Sequence, residues 1–180
     1  MDRNTTYGYW RVIARVSGYT IPEGMERPNY IGDNPCPENL NTLTIGQLID
    51  MGGEGADTDY RIVSIVMGYD RETTDKCRAI EVVPFISWAA GQVKKINALF
   101  EKVKARPTAK EKQAGIDKLN FGLFGLIDWY AKRMGITDHD EVLRVPWMRI
   151  YKCLEMDHLV NAYERRLNDI SMQEARRHKK

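Results

Sequence analysis

From residue 44 onward the apolar residues return every three or four positions, the spacing that gathers them on one face of an α-helix. Thr44 with Gln47 forms a T-x-x-Q capping box ahead of Leu48, Ile49 and Met51, and Gly52-Gly53 stops that helix. Asp57 is placed to cap a second helix whose Tyr60, Ile62, Val63, Ile65, Val66 and Met67 cover so much of its circumference that it should be the most buried. Thr73 and Thr74 open a short helix to about Val82, and Pro84 suits the first position of a longer one, striped by Phe85, Trp88, Ala89, Ile96, Leu99 and Phe100, to about Lys104. Arg106-Pro107 breaks it. Thr108 with Glu111 caps a short polar helix to about Leu119, the glycines from Asn120 to Gly125 make a turn, and a helix runs from about Leu123 to Met134. A short helix from Thr137 or Asp138 to Leu143 precedes the longest one, from Pro146 to about Arg177, with Trp147, Ile150, Tyr151, Leu154, Leu159, Val160, Tyr163, Leu167 and Ile170 along its stripe.

Residues 1–42 look different. They hold Pro22, Pro28, Pro35 and Pro37, several glycines and no helical period, so regular structure is not expected along most of their length. Trp10, Val12, Ala14 and Val16 alternate with Arg11, Ile13 and Arg15, which approximates a short strand with one apolar face. Tyr7, Tyr9, Trp10, Tyr19 and Tyr30 then become candidate partner-binding residues, because aromatic anchors on a segment without its own core dominate interface energetics. The alternative is an arm that packs back on its own helical body. The expected fold is all-α: a bundle of about seven or eight helices over 43–177, an extended Pro-rich arm at 1–42, and a basic end at 178–180. An echo within the chain, Met67-Gly68 then Val83-Pro84-Phe85 and Met134-Gly135 then Val145-Pro146-Trp147, suggests two similar modules at 57–104 and 123–177, although the two pairs are not separated by the same interval. The core should include Ile62, Ile65, Val66, Phe85, Trp88, Leu126, Trp147, Tyr151 and Leu154.

Composition supports a folded chain without staples. At 180 residues, with 43% hydrophobic and 29% charged residues, it can bury a substantial core and is not of disordered composition. Cys36, Cys77 and Cys153 are far apart and form no C-x-x-C, so they read as reduced thiols. No apolar run has the length of a membrane span, and the N-terminus lacks the apolar region of a secretory signal. The net charge of +2 is uneven, with six Lys or Arg against three Asp or Glu in the last twenty residues. Arg165, Arg166, Arg176, Arg177, Lys179 and Lys180 are therefore candidate nucleic-acid contacts, each neutralised phosphate adding salt-sensitive affinity, or else they complement the helix dipole and stay solvated.

Candidate chemistry is sparse. Glu155-x-x-His158 sets a carboxylate and an imidazole one turn apart, but di-iron bundles need two such pairs and two further carboxylates. Asp138-His139-Asp140 fits a helix start better than a cation site, and Gly52-Gly53-Glu54-Gly55-Ala56 follows a helix and lacks the Gly-Lys-Ser/Thr ending of a phosphate loop. No catalytic residue, cofactor site or metal site is nominated, and a non-enzymatic role is expected.

The segments 43–51 (LTIGQLIDM) and 60–68 (YRIVSIVMG), the Val83-Pro84 before a long helix, then 121–128 (FGLFGLID) and 141–147 (EVLRVPW) together resemble small helical morphogenesis proteins of tailed bacteriophages, those like tail-assembly chaperones in particular. The resemblance spans about residues 43–170 and is one of pattern. It implies a protein that acts through surfaces on other phage structural or assembly proteins, in the host cytoplasm during assembly and in the virion if the place is permanent. The Pro-rich arm lies outside it and favours a permanent place, such as a head-tail connector or an internal virion protein. A nucleic-acid-associated role through the basic C-terminal helix is the alternative, with an unrecognised carboxylate or metal enzyme behind it.

Overall fold

The first helix begins where no strong start signal stands. The computed structural model describes residues 2–53, 55–104, 107–119 and 121–177. In it the stretch expected to be a strand is an α-helix, α1 (Tyr7–Ser17), whose last turn closes through Tyr19 N–H to the Ala14 carbonyl at 2.9 Å. The residues satisfy two periods at once. Tyr9, Val12, Ile13 and Val16 stand at i, i+3, i+4 and i+7 as well as alternating in part, and the helical one prevails because it points Tyr7, Arg11 and Ala14 inward together.

A two-residue hairpin follows, β1 (Tyr30–Ile31) antiparallel to β2 (Asn34–Pro35). Then come α2 (Ile45–Gly52), α3 (Thr58–Met67), α4 (Arg71–Lys76), α5 (Ala79–Val103), α6 (Ala109–Gln113), a 3-10 turn (Ile116–Lys118), α7 (Gly122–Met134), α8 (His139–Leu143) and α9 (Trp147–Arg177). With 68% helix and 5% strand the fold is all-α, with nine α-helices among the described residues. Both capping boxes form: Thr44 and Gln47 bond reciprocally at the start of α2, as do Thr108 and Glu111 at the start of α6. Asp57 precedes α3 but makes no side-chain cap bond, since its carboxylate turns to Arg11 instead.

The proline at 84 does not start a helix. Asp70 caps α4 through the Thr73 N–H at 2.8 Å, the chain breaks at Cys77-Arg78, and α5 runs from Ala79 straight through Pro84. Pro84 is past the first turn of α5, so the helix forgoes one backbone hydrogen bond there, amid the buried Val82, Val83 and Phe85. That helix, not α3, is the most buried: Val82, Val83, Phe85 and Ala89 are sealed, whereas Ile65, Val66 and Met67 of α3 are half-exposed. Of the expected core, Ile62, Phe85 and Trp147 are buried, and Trp88, Leu126, Tyr151 and Leu154 are partly so.

The chain divides into two compact units, one of residues 1–97 with 143–147 and the other of 98–142 with 148–180, in place of an arm followed by modules at 57–104 and 123–177. Within the first unit α1 packs on α4, α4 on α3, and α3 on α2. The segment expected as an arm belongs to this unit's core. Tyr7, Ile31, Cys36 and Leu40 are buried, the Ser87 hydroxyl donates to the Pro22 carbonyl at 2.6 Å, and the Tyr69 hydroxyl donates to the Ile31 carbonyl at 2.9 Å. Prolines removed backbone donors from this segment without removing its apolar side chains, and side-chain hydroxyls supply partners for the carbonyls left over.

Near the echoed segments the structure holds two backbone bridges of the same kind. An isolated antiparallel bridge joins Thr6 to Arg78, the residues just before α1 and α5, and a second joins Thr44 to Pro146, just before α2 and α9. Their hydrogen bonds match: Tyr7 N–H to Cys77 O and Ala79 N–H to Thr5 O in one, Ile45 N–H to Val145 O and Trp147 N–H to Leu43 O in the other. Each bridge is followed by Thr-apolar-Gly, Thr6-Tyr7-Gly8 and Thr44-Ile45-Gly46, and at each glycine a Cβ would lie 2.9 Å from the opposing segment, Asp75 in the first case and Leu143 in the second. Upstream of each long helix stands a helix closed by a glycine with positive φ, Gly68 at 73° and Gly135 at 69°, where a side chain would be strained. The equivalent of Pro146 is therefore Arg78, not Pro84.

Candidate partner-binding surface

Helix α1 is held from beneath by a buried charge cluster in the first unit. Arg11 Nε donates to Asp59 Oδ2 at 2.5 Å, and Nη2 reaches Asp59 Oδ1 at 3.1 Å, Asp57 Oδ1 at 2.9 Å and the Ala56 carbonyl at 2.5 Å. This is the fork geometry that suits guanidinium to carboxylate. Tyr7, fully buried, donates its hydroxyl to Asp59 Oδ2 at 2.5 Å. The Arg11 guanidinium lies 4.4 Å from the Tyr60 ring centroid and that of Arg71 lies 4.6 Å from it, while the Tyr60 hydroxyl bonds Asp75 of α4.

The electrostatics agree with the geometry. Burial works to raise the Asp59 carboxyl, but the hydrogen bonds from Arg11 and Tyr7 outweigh it and hold the group below its ordinary 3.8. Burial, reinforced by the bond to Asp59, pushes the Tyr7 phenol far up, so it stays protonated as a donor. For Arg11, burial pulls the guanidinium down and Asp59 more than restores it, leaving the charge fixed. The cluster fastens α1 with its polar underside inward and thereby decides what it shows outward.

What it shows is apolar. Tyr9, Val12, Ile13 and Val16 are exposed along one stripe, Val16 to 86%. Trp10 is half-buried, stacked on Tyr7 with ring centroids 5.7 Å apart and edge-on to Tyr19 at 5.9 Å, beside a cavity of about 170 Å³ also lined by Ala14, Ile21 and Ala56. Of the five aromatic candidates, Tyr9, Tyr19 and Tyr30 are thus open to a partner and Trp10 partly so, whereas Tyr7 faces the core and is removed from the set. The residues missed were Val12, Ile13 and Val16, whose three- and four-residue spacing was present but read as a strand.

The second unit carries its own surfaces. Beyond the first turns of α9 its stripe is not core: Leu159, Val160, Tyr163, Leu167 and Ile170 are exposed, as is every residue from 163 to 177. Leu119, Phe121, Leu123 and Phe124 form another exposed apolar group at the start of α7. Arg165 lines a cleft of about 690 Å³ together with Lys102, Lys104, His158, Asn161 and Trp129, and stands 3.8 Å from Glu111. Arg166, Arg176 and Arg177 are exposed on α9, while Lys179 and Lys180 lie outside the described residues. Glu155 accepts from Tyr151 at 3.0 Å and Lys152 at 2.7 Å, so its carboxylate is turned to its own helix and not paired with His158. Among the described residues no three His, Cys, Asp or Glu side chains gather as a metal site would, and no helix is long and apolar enough to cross a membrane.

No family model, curated protein or solved structure matches this chain.

Proposed function

We propose that the chain is a non-enzymatic binding protein that docks on other proteins through the outer face of α1, as an assembly or virion component of a tailed bacteriophage. One observation carries the docking: an amphipathic helix fastened by a buried Arg11–Asp59 pair turns Tyr9, Val12, Ile13 and Val16 to solvent. Anchoring the helix in advance lowers the ordering cost of association, so an apolar stripe held this way is suited to helix-on-surface recognition. The phage setting rests on the resemblance of the helical pattern over about 43–170 and gives the class of partner, a structural or assembly protein. A photo-crosslinking residue in place of Val16, in the chain expressed during phage growth, should yield an adduct with such a protein. No adduct, or adducts with host proteins alone, contradicts the reading.

A second reading has its own observation. Lys102, Lys104, His158 and Arg165 converge on a cleft that also presents the Trp129 ring, a combination that suits a phosphate backbone and a stacked base. Binding of the chain to single-stranded DNA that weakens steeply with salt, and whose salt slope falls by about 1.4 in a Lys102→Ala/Lys104→Ala variant, supports it. Salt-insensitive or absent binding removes it.

A further inference from the structure

The distal part of α9 shows a second pattern that neither its own unit nor the α1 surface uses. Met156, Val160, Tyr163, Leu167 and Ile170 follow one another at intervals of four and three, the a and d positions of a heptad repeat, and Leu159 flanks them. Their exposure, with that of Leu159, lies between 47% and 63%. The opposite side of the same helix, Leu154, His158, Asn161 and Arg165, faces the cleft of the second unit. At about 100° per residue the two sets lie on opposite sides of the helix axis. The stripe is therefore turned away from the unit that α9 belongs to.

We infer that this seam pairs with the same seam of a second copy of the chain as a short, parallel, in-register coiled coil, which rests on the reading above that the chain works by protein contact. Area is the first argument. The six half-exposed side chains present roughly 600 Å² per copy, and two copies would bury about 1,200 Å², the lower bound for a specific protein interface. Self-pairing meets that bound with this helix alone.

Charge is the second argument and it sets the direction. In a parallel pair the flanking positions bring Lys152 toward Asp157, which are paired within their own chain to Glu155 and Arg133, Leu159 toward Glu164 and Arg166 toward Ser171 of the other copy, with no like charges opposed. In an antiparallel pair that keeps the seam in contact, Glu164 would face Glu164 and Arg166 would face Arg166 about the symmetry axis. Glu174 takes the next seam position, so the zipper ends at Ile170. A seam of little more than two heptads, roughly 21 Å long, gives a reversible, concentration-dependent dimer.

The test is sedimentation of the full chain from about 1 to about 100 μM, the range over which a weak dimer passes from dissociated to associated. The wild type should pass from monomer to dimer mass across it. Val160→Glu/Leu167→Glu, two exposed positions, should stay monomeric with an unchanged melting temperature. Leu167→Cys in a Cys153→Ser background, oxidised beside Cys153→Ser alone, should form a disulfide-linked dimer that the single variant does not, because equivalent seam positions meet only in the parallel arrangement. A wild type that is monomeric throughout overturns the inference, as does a dimer that the double glutamate variant leaves intact, or one in which Leu167→Cys fails to cross-link. These outcomes are separate from those at Val16: a monomer that still forms the α1 adduct sinks the coiled coil and spares the function, and a dimer without the adduct does the reverse.

Discussion

At residue scale the placement of α1 depends on Arg11, whose guanidinium is almost wholly out of water and is met by Asp59, Asp57 and a backbone carbonyl. Removing one partner of such a pair leaves a buried charge uncompensated, which costs far more than the pair itself contributes. Asp59→Asn should therefore destabilise by about 3 kcal/mol, the low end for a buried pair because Asp57 and the Ala56 carbonyl still face Arg11. Arg11→Met/Asp59→Leu should cost clearly less than the sum of its single changes, and a denaturant double-mutant cycle measures the coupling. The pH dependence has a definite sign. Asp59 titrates below its ordinary 3.8 when folded, so its contribution is present above that pH and is lost as the pH falls through the folded value. The gap in melting temperature between wild type and Asp59→Asn should be full near neutrality and close below about pH 3.8; a gap that widens in acid would contradict the assignment. None of this was legible in the sequence. Arg11 sits among alternating residues that read as a strand, and its partners lie more than forty positions away.

At the scale of elements, the helices after residue 43 were readable because their signals are local. Thr44–Gln47 and Thr108–Glu111 cap within one turn, and glycine after Met67 and Met134 stops a helix by its own backbone freedom. The two misplaced boundaries have a common cause. Whether Ala79 or Pro84 begins α5 depends on a bridge from Arg78 to Thr6, a contact across the sequence that no local pattern records. The bridges also account for the glycines beside them. Gly46 approaches the Leu143 backbone oxygen, which cannot swing aside, whereas Gly8 approaches the Asp75 side chain. Gly46→Ala should therefore cost about 1 to 3 kcal/mol and more than Gly8→Ala, as thermal unfolding of the two variants would show. Trp147 seals the second bridge: it is buried and its indole N–H reaches the Leu40 carbonyl at 2.8 Å. Trp147→Ala should cost about 3 to 5 kcal/mol, and Trp147→Phe about 1 to 3, which isolates the lost hydrogen bond from the lost volume. A loss near zero for Trp147→Phe would mean that the Leu40 carbonyl finds another donor.

Across the whole molecule, one arrangement recurs: a Thr-apolar-Gly helix start bridged to the residue before a long helix, preceded by a glycine-capped helix. The sequence pattern exposed half of this, the Met-Gly and long-helix order, and hid the other half, since Tyr7 and Ile45 share only their apolarity. Burial was harder to read than secondary structure. The same three- and four-residue period stripes α5, where it is core, and α1 and the end of α9, where it faces solvent, because periodicity says which residues share a face and not what that face meets. Outward apolar faces on otherwise well-anchored helices are the observation on which the proposed docking rests. The proposal that α1 is such a face is tested most sharply by the affinity of the partner trapped at Val16 for wild type and for Val12→Asp/Val16→Asp. Both positions are exposed, so folding should be unchanged to within about 0.5 kcal/mol, while association should weaken by at least about thirtyfold, the loss of about 2 kcal/mol typical of a disrupted hot spot. Equal affinities for the two proteins would contradict the claim.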